Sequence, residues 1–157
     1  MRLQVPIQLR WSDIDAYAHV NNVAMLGLLE EARIEALWSI GERAGDDRPG
    51  QPVLDFRPGS GTLSLIVHQQ VEYLLAIPYQ RRPLDIETWI GRLGGSSLQF
   101  CYEVYSPAGQ EPRLLYARAE TTLVLANAAD SRPRRISPGE RAAWEPYLEA
   151  PVTFRSR

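Results

Sequence analysis

The stretch Arg10-Trp11-Ser12-Asp13-Ile14-Asp15-Ala16-Tyr17-Ala18-His19-Val20-Asn21-Asn22 runs directly into Val23-Ala24-Met25-Leu26-Gly27-Leu28-Leu29. Its first part gathers two carboxylates, a histidine and two asparagines; its second part is apolar on every side. The apolar run continues to Ile40, with Glu30, Glu31, Arg33 and Glu35 set among Ala32, Ile34, Ala36 and Leu37. That pattern predicts one helix over 23–40, buried in its first turns and amphipathic later, with Gly41 as its stop. Upstream, Leu3, Val5, Ile7, Leu9 and Trp11 alternate with other residues, the period of a half-buried strand over 3–11. The polar stretch therefore lies between a strand and the start of a buried helix. A helix start offers unpaired backbone N–H groups and a positive dipole end, which suit a carbonyl oxygen gaining negative charge. A carboxylate beside it can attack that carbonyl or activate water.

Downstream of the helix, residues 42–62 are rich in Gly, Pro, Asp and Arg and carry no period, so they read as a long irregular connection. Four strand patterns follow. Leu63, Leu65, Val67, Val71, Tyr73 and Leu75 are expected to share one face of a long strand. Ile86, Thr88 and Ile90 mark the next, then Leu98, Phe100, Tyr102 and Val104, then Leu115 to Leu125. Gly94-Gly95 and Pro107-Ala108-Gly109 read as the turns between the last three. Ser137 to Leu148 reads as a short final helix, with Ser137 as cap and Pro138 in its first turn. One strand, one helix and four strands form an α+β layer in which an antiparallel five-stranded sheet wraps one long buried helix. The whole chain, 1–157, is expected to be a single domain.

Composition excludes several kinds of chemistry. The 157 residues are 45% hydrophobic and 23% charged, with a formal net charge of −2, so a strongly basic nucleic-acid binder is not expected. The single cysteine, Cys101, rules out an internal disulfide and a cysteine metal cluster. The only histidines are His19 and His68, too few for a three-histidine zinc site in one chain. All 17 basic residues are arginine, so lysine-nucleophile chemistry is absent. No apolar run is long enough to cross a membrane, and the alternating N-terminus is not a secretory signal, so a cytoplasmic location is expected.

The stretch Asp13-Ile14-Asp15-Ala16-Tyr17-Ala18-His19-Val20-Asn21-Asn22 resembles the signature of the hotdog-fold acyl-CoA thioesterases of the 4-hydroxybenzoyl-CoA thioesterase type, in which an Asp-x-Asp-x-x-Gly-His-Val-Asn-Asn motif precedes an apolar helix. Glu30-Glu31-Ala32-Arg33, Val71-Glu72-Tyr73-Leu74, Ser96-Ser97-Leu98 and the Arg134-Arg135-Ile136-Ser137-Pro138 exit also fit, so the resemblance covers nearly the whole chain. It implies the hotdog fold and hydrolysis of an acyl-CoA to a carboxylic acid and coenzyme A, with no metal or redox cofactor. Asp15 matches the catalytic carboxylate, as nucleophile or as general base on water. The Asn22 backbone N–H matches the group that polarises the thioester carbonyl, and His19 matches an orienting or proton-handling histidine. Asn21, Met25, Ser96 and Ser97 are expected to contact substrate, and the 42–62 loop to cover the acyl pocket. The family's glycine before the histidine is Ala18 here, and Met25 replaces a frequent aromatic. Basic residues found in some members at the Gly94-Gly95-Ser96 hairpin are missing, which leaves Arg132, Arg134, Arg135 and Arg92 as candidates for the coenzyme A phosphates. The resemblance further implies a homodimer joined sheet edge to sheet edge, or a homotetramer of such dimers, with Asp15 and Asn22 from one subunit and Ser96-Ser97 from the other.

Simpler readings stand beside these. Asp-x-Asp alone is usually loop and capping chemistry, either asparagine can serve as helix N-cap, His68 reads as a sheet histidine, and Cys101 as a packed, inert thiol. A haloacid-dehalogenase-type phosphatase would need Thr or Val where Tyr17 stands. A hotdog dehydratase would need a differently placed histidine with an acid. A non-catalytic acyl-CoA binding or sensing protein on the same fold leaves Asp15 unexplained.

Overall fold

A computed structural model describes residues 1–43 and 59–155. The elements in chain order are β1 (Leu3–Ile7), α1 (Asn22–Arg43), β2 (Thr62–Tyr73), β3 (Leu84–Leu93), β4 (Ser97–Tyr105), β5 (Leu115–Asn127) and α2 (Pro138–Trp144). Most of the predicted 42–62 connection, with the pocket-covering role expected of it, lies outside the described residues.

The five strands form one antiparallel sheet in the order β1-β3-β4-β5-β2. Alternation puts Leu84, Ile86 and Ile90 of β3, Leu98, Phe100, Tyr102 and Val104 of β4, and Ala117, Ala119, Leu123 and Leu125 of β5 in one core. Met25, Leu28, Leu29, Ala32, Ala36 and Leu37 of α1 pack into it. Each of the larger apolar side chains, from leucine upward, contributes roughly 1.5–3 kcal/mol by leaving water, so this shared face holds helix and sheet together.

The helix departs from expectation. Its first turns are apolar on every side, yet Val23 is 71% and Leu26 38% exposed, and Ile34 further along is exposed too. In this chain α1 buries one face and leaves an apolar stripe uncovered. The first strand is shorter than predicted, because its pairing with β3 ends at Ile7↔Leu84. Trp11 lies beyond it in a short 3₁₀ turn, largely exposed, with its ring edge-on to Tyr79 at 5.2 Å.

The uniform alternation predicted for β2 also fails. Ile66 pairs with Leu123 and His68 with Thr122, so Val67 is an extra residue, a β-bulge. Directly paired residues share a face. Ser64 and Ile66 therefore lie on the side of Leu125 and Leu123, while after the bulge Val71 and Tyr73 lie on the side of Ala119 and Ala117. Leu63, Leu65 and Val67 thus do not share a face with Val71 and Tyr73, and His68 shares the outer face with Leu65, its Nδ1 3.6 Å from Glu120.

The outer face is covered by the chain after α2. Trp89 Nε1 donates to Ala150 O at 2.9 Å, the Glu149 N–H to Ile90 O at 3.0 Å, and Arg118 Nη1 to Thr153 O at 3.3 Å. Beneath this strap Cys101 is buried, and burial pushes its thiol up, away from the reactive thiolate. The predicted start of α2 is a capping box: Ser137 Oγ accepts from the Glu140 N–H at 3.2 Å, and Glu140 Oε2 accepts from the Ser137 N–H at 2.8 Å.

Candidate active site

The loop between β1 and α1 is fixed first by Asp13. Its buried carboxylate accepts from the Arg10 N–H at 2.7 Å and from Arg10 Nη2 at 2.9 Å, and its carbonyl accepts from the Asn21 N–H at 2.8 Å. Burial alone would raise this carboxyl, but the Arg10 guanidinium and N–H outweigh it and hold the group below its ordinary value. The far side is tied by the Val20 N–H to Ile77 O at 2.8 Å and by a bridge between His19 and Pro78.

Within that frame Asp15 and His19 close a tight turn. The Asp15 N–H donates to His19 O at 2.9 Å, and the Ala18 N–H donates to Asp15 O at 3.1 Å. Asp15 Oδ1 accepts from the Tyr17 N–H at 2.8 Å and, longer, from the His19 N–H at 3.4 Å. Oδ2 has no hydrogen-bond partner among the described residues. The carboxylate is thus held by one oxygen and presents the other. His19 meets it through its backbone; no bond joins the imidazole to Asp15 among the described residues. Ala18 has φ +63°, the left-handed conformation in which a glycine would be relaxed.

Asn21 is the helix N-cap: its Oδ1 accepts from the Val23 N–H at 2.8 Å and its carbonyl from the Met25 N–H at 3.0 Å. The Asn22 N–H has no partner among the described residues, and it stands at the positive end of a long helix. Beside it lies a cleft of about 270 Å³, walled by His19, Val20, Met25, Tyr73 and the 74–77 segment. Tyr73, which the sequence offers as a strand-face residue and as part of the resemblance but not as a site residue, donates its hydroxyl to Asn22 O at 3.2 Å. Asp15, His19, Asn21, Asn22 and Met25 are thus brought to one place.

The other expected contacts gather elsewhere. The Gly94–Ser97 turn is locked by the Gly94 N–H to Ser97 O at 2.8 Å, the Ile136 N–H to Gly95 O at 2.8 Å and Arg141 Nη2 to Gly94 O at 2.6 Å. A side chain at Gly94 would meet Ser97 Oγ at 2.6 Å and Ser97 O at 3.3 Å, so the turn is tightly packed there. The Arg135 guanidinium lies beside Gly95, and exposed Arg132 lies on the turn after β5. Arg92 is exposed on β3 near the same turn. Arg134 differs from these. It grips Glu140 with two bonds of 3.0 and 2.7 Å, reaches Thr62 Oγ1 at 3.1 Å and donates to Arg135 O at 3.0 Å. Its donors are spent inside the fold, where they join β2 to α2, so it is a structural arginine here.

The two clusters lie at opposite ends of the sheet. Tyr73, beside Asn22, pairs with Ala117 of β5, whereas Ser97 pairs with Val124. Seven strand residues at about 3.4 Å each separate them by roughly 24 Å. One chain does not bring Ser96, Ser97 and the arginines to Asp15.

Comparison with known proteins agrees with this architecture. Residues 9–144 match the thioesterase-like superfamily. The PA5185 protein of Pseudomonas aeruginosa is similar, with 26% identity and a TM-score of 0.76 over 96% of this chain and 94% of that one. The fold also matches Slr0204, a 1,4-dihydroxy-2-naphthoyl-CoA thioesterase from Synechocystis, at 16% identity, TM-score 0.72, and 91% and 95% coverage. A DHNA-CoA thioesterase from Staphylococcus aureus matches at 17% identity, TM-score 0.73, and 92% and 89% coverage. No curated protein matched the sequence. With five antiparallel strands, the helix set against them and the short C-terminal helix all in place, this chain is a hotdog-fold protein that belongs to the thioesterase-like superfamily.

Proposed function

We propose that the protein is an acyl-CoA thioesterase that hydrolyses its substrate to a carboxylic acid and free coenzyme A. The observation that carries this reading is the pairing, in one loop, of Asp15, whose carboxylate is held by one oxygen among the described residues, with the Asn22 N–H at the start of α1, which has no partner among them. The thioester carbonyl accepts from the Asn22 N–H, which stabilises the oxyanion as it forms. Asp15 either attacks the carbonyl carbon, expelling coenzyme A thiolate and leaving a mixed anhydride that water cleaves, or takes a proton from the water that attacks directly. Where water attacks the substrate's acyl carbon, either route places water's oxygen in the acid product and one of its protons on the thiolate. Attack at the Asp15 carboxyl carbon of the anhydride instead leaves water's oxygen on Asp15 and an Asp15 oxygen in the acid. His19, exposed at the cleft, orients substrate or passes that proton. The acyl group, aromatic or medium-chain, lies against Met25 and the apolar cleft.

The same reading makes the working unit a homodimer joined through β2, with a tetramer formed from two such dimers. This strand is a sheet edge with Leu65, Ile66 and Val67 exposed, and exposed Ile34 of α1 shares a cleft with its Ser64 and Ile66. If two copies of β2 pair antiparallel about a two-fold axis, the Tyr73 end of one lies beside the Thr62 end of the other. Ser96, Ser97, Arg132 and Arg135 of one subunit then approach Asp15 and Asn22 of its partner. Arg132 and Arg135, with Arg92 next, hold the coenzyme A phosphates, while Arg134 serves the fold. The chemistry requires no metal or redox cofactor.

Thiol release from acetyl-, medium-chain, long-chain and aromatic acyl-CoAs tests the reading, with Asp15→Asn alongside wild type. Activity on at least one substrate, lost by about 100-fold or more in the variant, is the expected result. Tight acyl-CoA binding without thiol release would replace it with the sensing role.

A further inference from the structure

The Asn22 N–H is useful only if it is aimed, and the ties around it show what aims it. The peptide unit joining Asn22 to Val23 is held at both ends: its N–H donates to Asn21 Oδ1 at 2.8 Å, and its C=O accepts from the Tyr73 hydroxyl at 3.2 Å. The unit before it is held by the Met25 N–H bond to Asn21 O, and the Asn21 N–H is fixed on Asp13 O. Three of these ties come from the loop or the helix itself. Among the described residues, the Tyr73 hydroxyl is the side-chain tie that reaches this peptide from the sheet. Its strand, β2, is a sheet edge whose other end lies beside exposed Ile34 of α1, and Tyr73 also walls the cleft beside His19 and Met25. Burial pushes the hydroxyl above its ordinary value of 10.0, so it stays a protonated donor at working pH.

We propose that Tyr73 is a positioning residue for the thioesterase reaction: its hydroxyl clamps the first helical peptide so that the Asn22 N–H stays aligned with the oxyanion, and thereby couples the β2 edge to the site. The inference rests on the thioesterase reading above. A donor that is aligned by a clamp matters most where charge develops, so its loss weakens transition-state binding more than substrate binding.

Tyr73→Phe keeps the ring and removes the clamp. Steady-state kinetics on the best acyl-CoA, calorimetry with an unreactive thioether analogue, and the melting temperature are measured together. The expected result is a kcat lower by about three- to ten-fold, with KM and analogue affinity within about two-fold of wild type. Tyr105→Phe, on the outer face, leaves kcat unchanged. An unchanged kcat in Tyr73→Phe, or a loss carried by KM alone, overturns the proposal. Should Tyr73→Phe melt early, a difluorotyrosine at position 73, whose phenol ionises near neutrality, replaces it. Support then requires a new inflection in the pH profile of kcat, and an unaltered profile refutes the clamp. A wild-type protein that releases no thiol overturns both readings; an active wild type with an unimpaired Tyr73→Phe overturns only this one.

Discussion

The two edges of the sheet are built to opposite ends. The β1 edge is five residues long, and Pro6 has no N–H to offer a further strand. Charge crowds around it: Arg2 bonds Glu87 at 3.0 Å, Glu103 at 2.6 Å and Glu149 at 3.2 Å, and its guanidinium lies 3.8 Å from the Trp89 ring. The β2 edge is twelve residues long, with exposed Leu65, Ile66 and Val67 and exposed Ile34 of α1 beside it. One edge is finished within the chain, whereas the other carries the surface features of an interface. Pairing of two chains through β2, as proposed, would cover the largest discrepancy between sequence and structure, the exposed Val23, Leu26 and Ile34 of a helix whose other face is buried.

The sharpest way to break the comparison is to charge the second edge. Leu65→Lys with Val67→Lys is expected to yield a monomer by sedimentation and to lower thiol release by at least about 100-fold, because each site loses the partner's contribution. The matching change on the first edge, Gln4→Lys, is expected to alter neither mass nor rate. A smaller effect is expected where β2 begins. Arg134→Ala removes the grip on Glu140 and Thr62 and is expected to cost about 2 kcal/mol, a fall in melting temperature of roughly 4–8 °C.

Acid sharpens the same contrast. Burial alone would raise Glu140 and Glu87, but Arg134 with the Ser137 N–H, and Arg113 with Arg2, outweigh it and hold both carboxyls below their ordinary 4.5. Glu149 is lowered mainly by the N-terminal ammonium. Folded values below the unfolded ones mean that these groups contribute full stability above about 4.5 and lose it as pH falls through the folded values. Urea midpoints should therefore be flat from pH 7 to 5 and decline below pH 4.5. The smallest change concerns the loop: Ala18→Gly relieves the left-handed residue at φ +63° and is expected to stabilise the fold by about 0.5–1 kcal/mol in the same urea titration.

Much of this was legible in the chain. Element order follows from apolar period, because each strand and the helix bury a regular face. The Asp15–Asn22 loop is legible because its turns and caps demand particular polar residues at fixed spacing. The bulge at Val67 has no glycine to mark it, so alternation misplaces Leu63, Leu65 and His68. Alternation extends the strand to Trp11 because periodicity does not tell where a strand loses its partner. The sequence groups Arg134 with its neighbours because an arginine facing Glu140 and one facing solvent read alike. Tyr73 carried no polar signal beyond its resemblance, and its role depends on a carbonyl 51 positions away.

The central claim is that the active centre is assembled across paired β2 edges. It is tested most directly by diluting the wild-type protein through its dimer–monomer transition while mass and thiol release are measured on the same samples. Specific activity should fall in step with the dimer fraction. A monomer that hydrolyses its substrate at the undiminished rate would contradict the account.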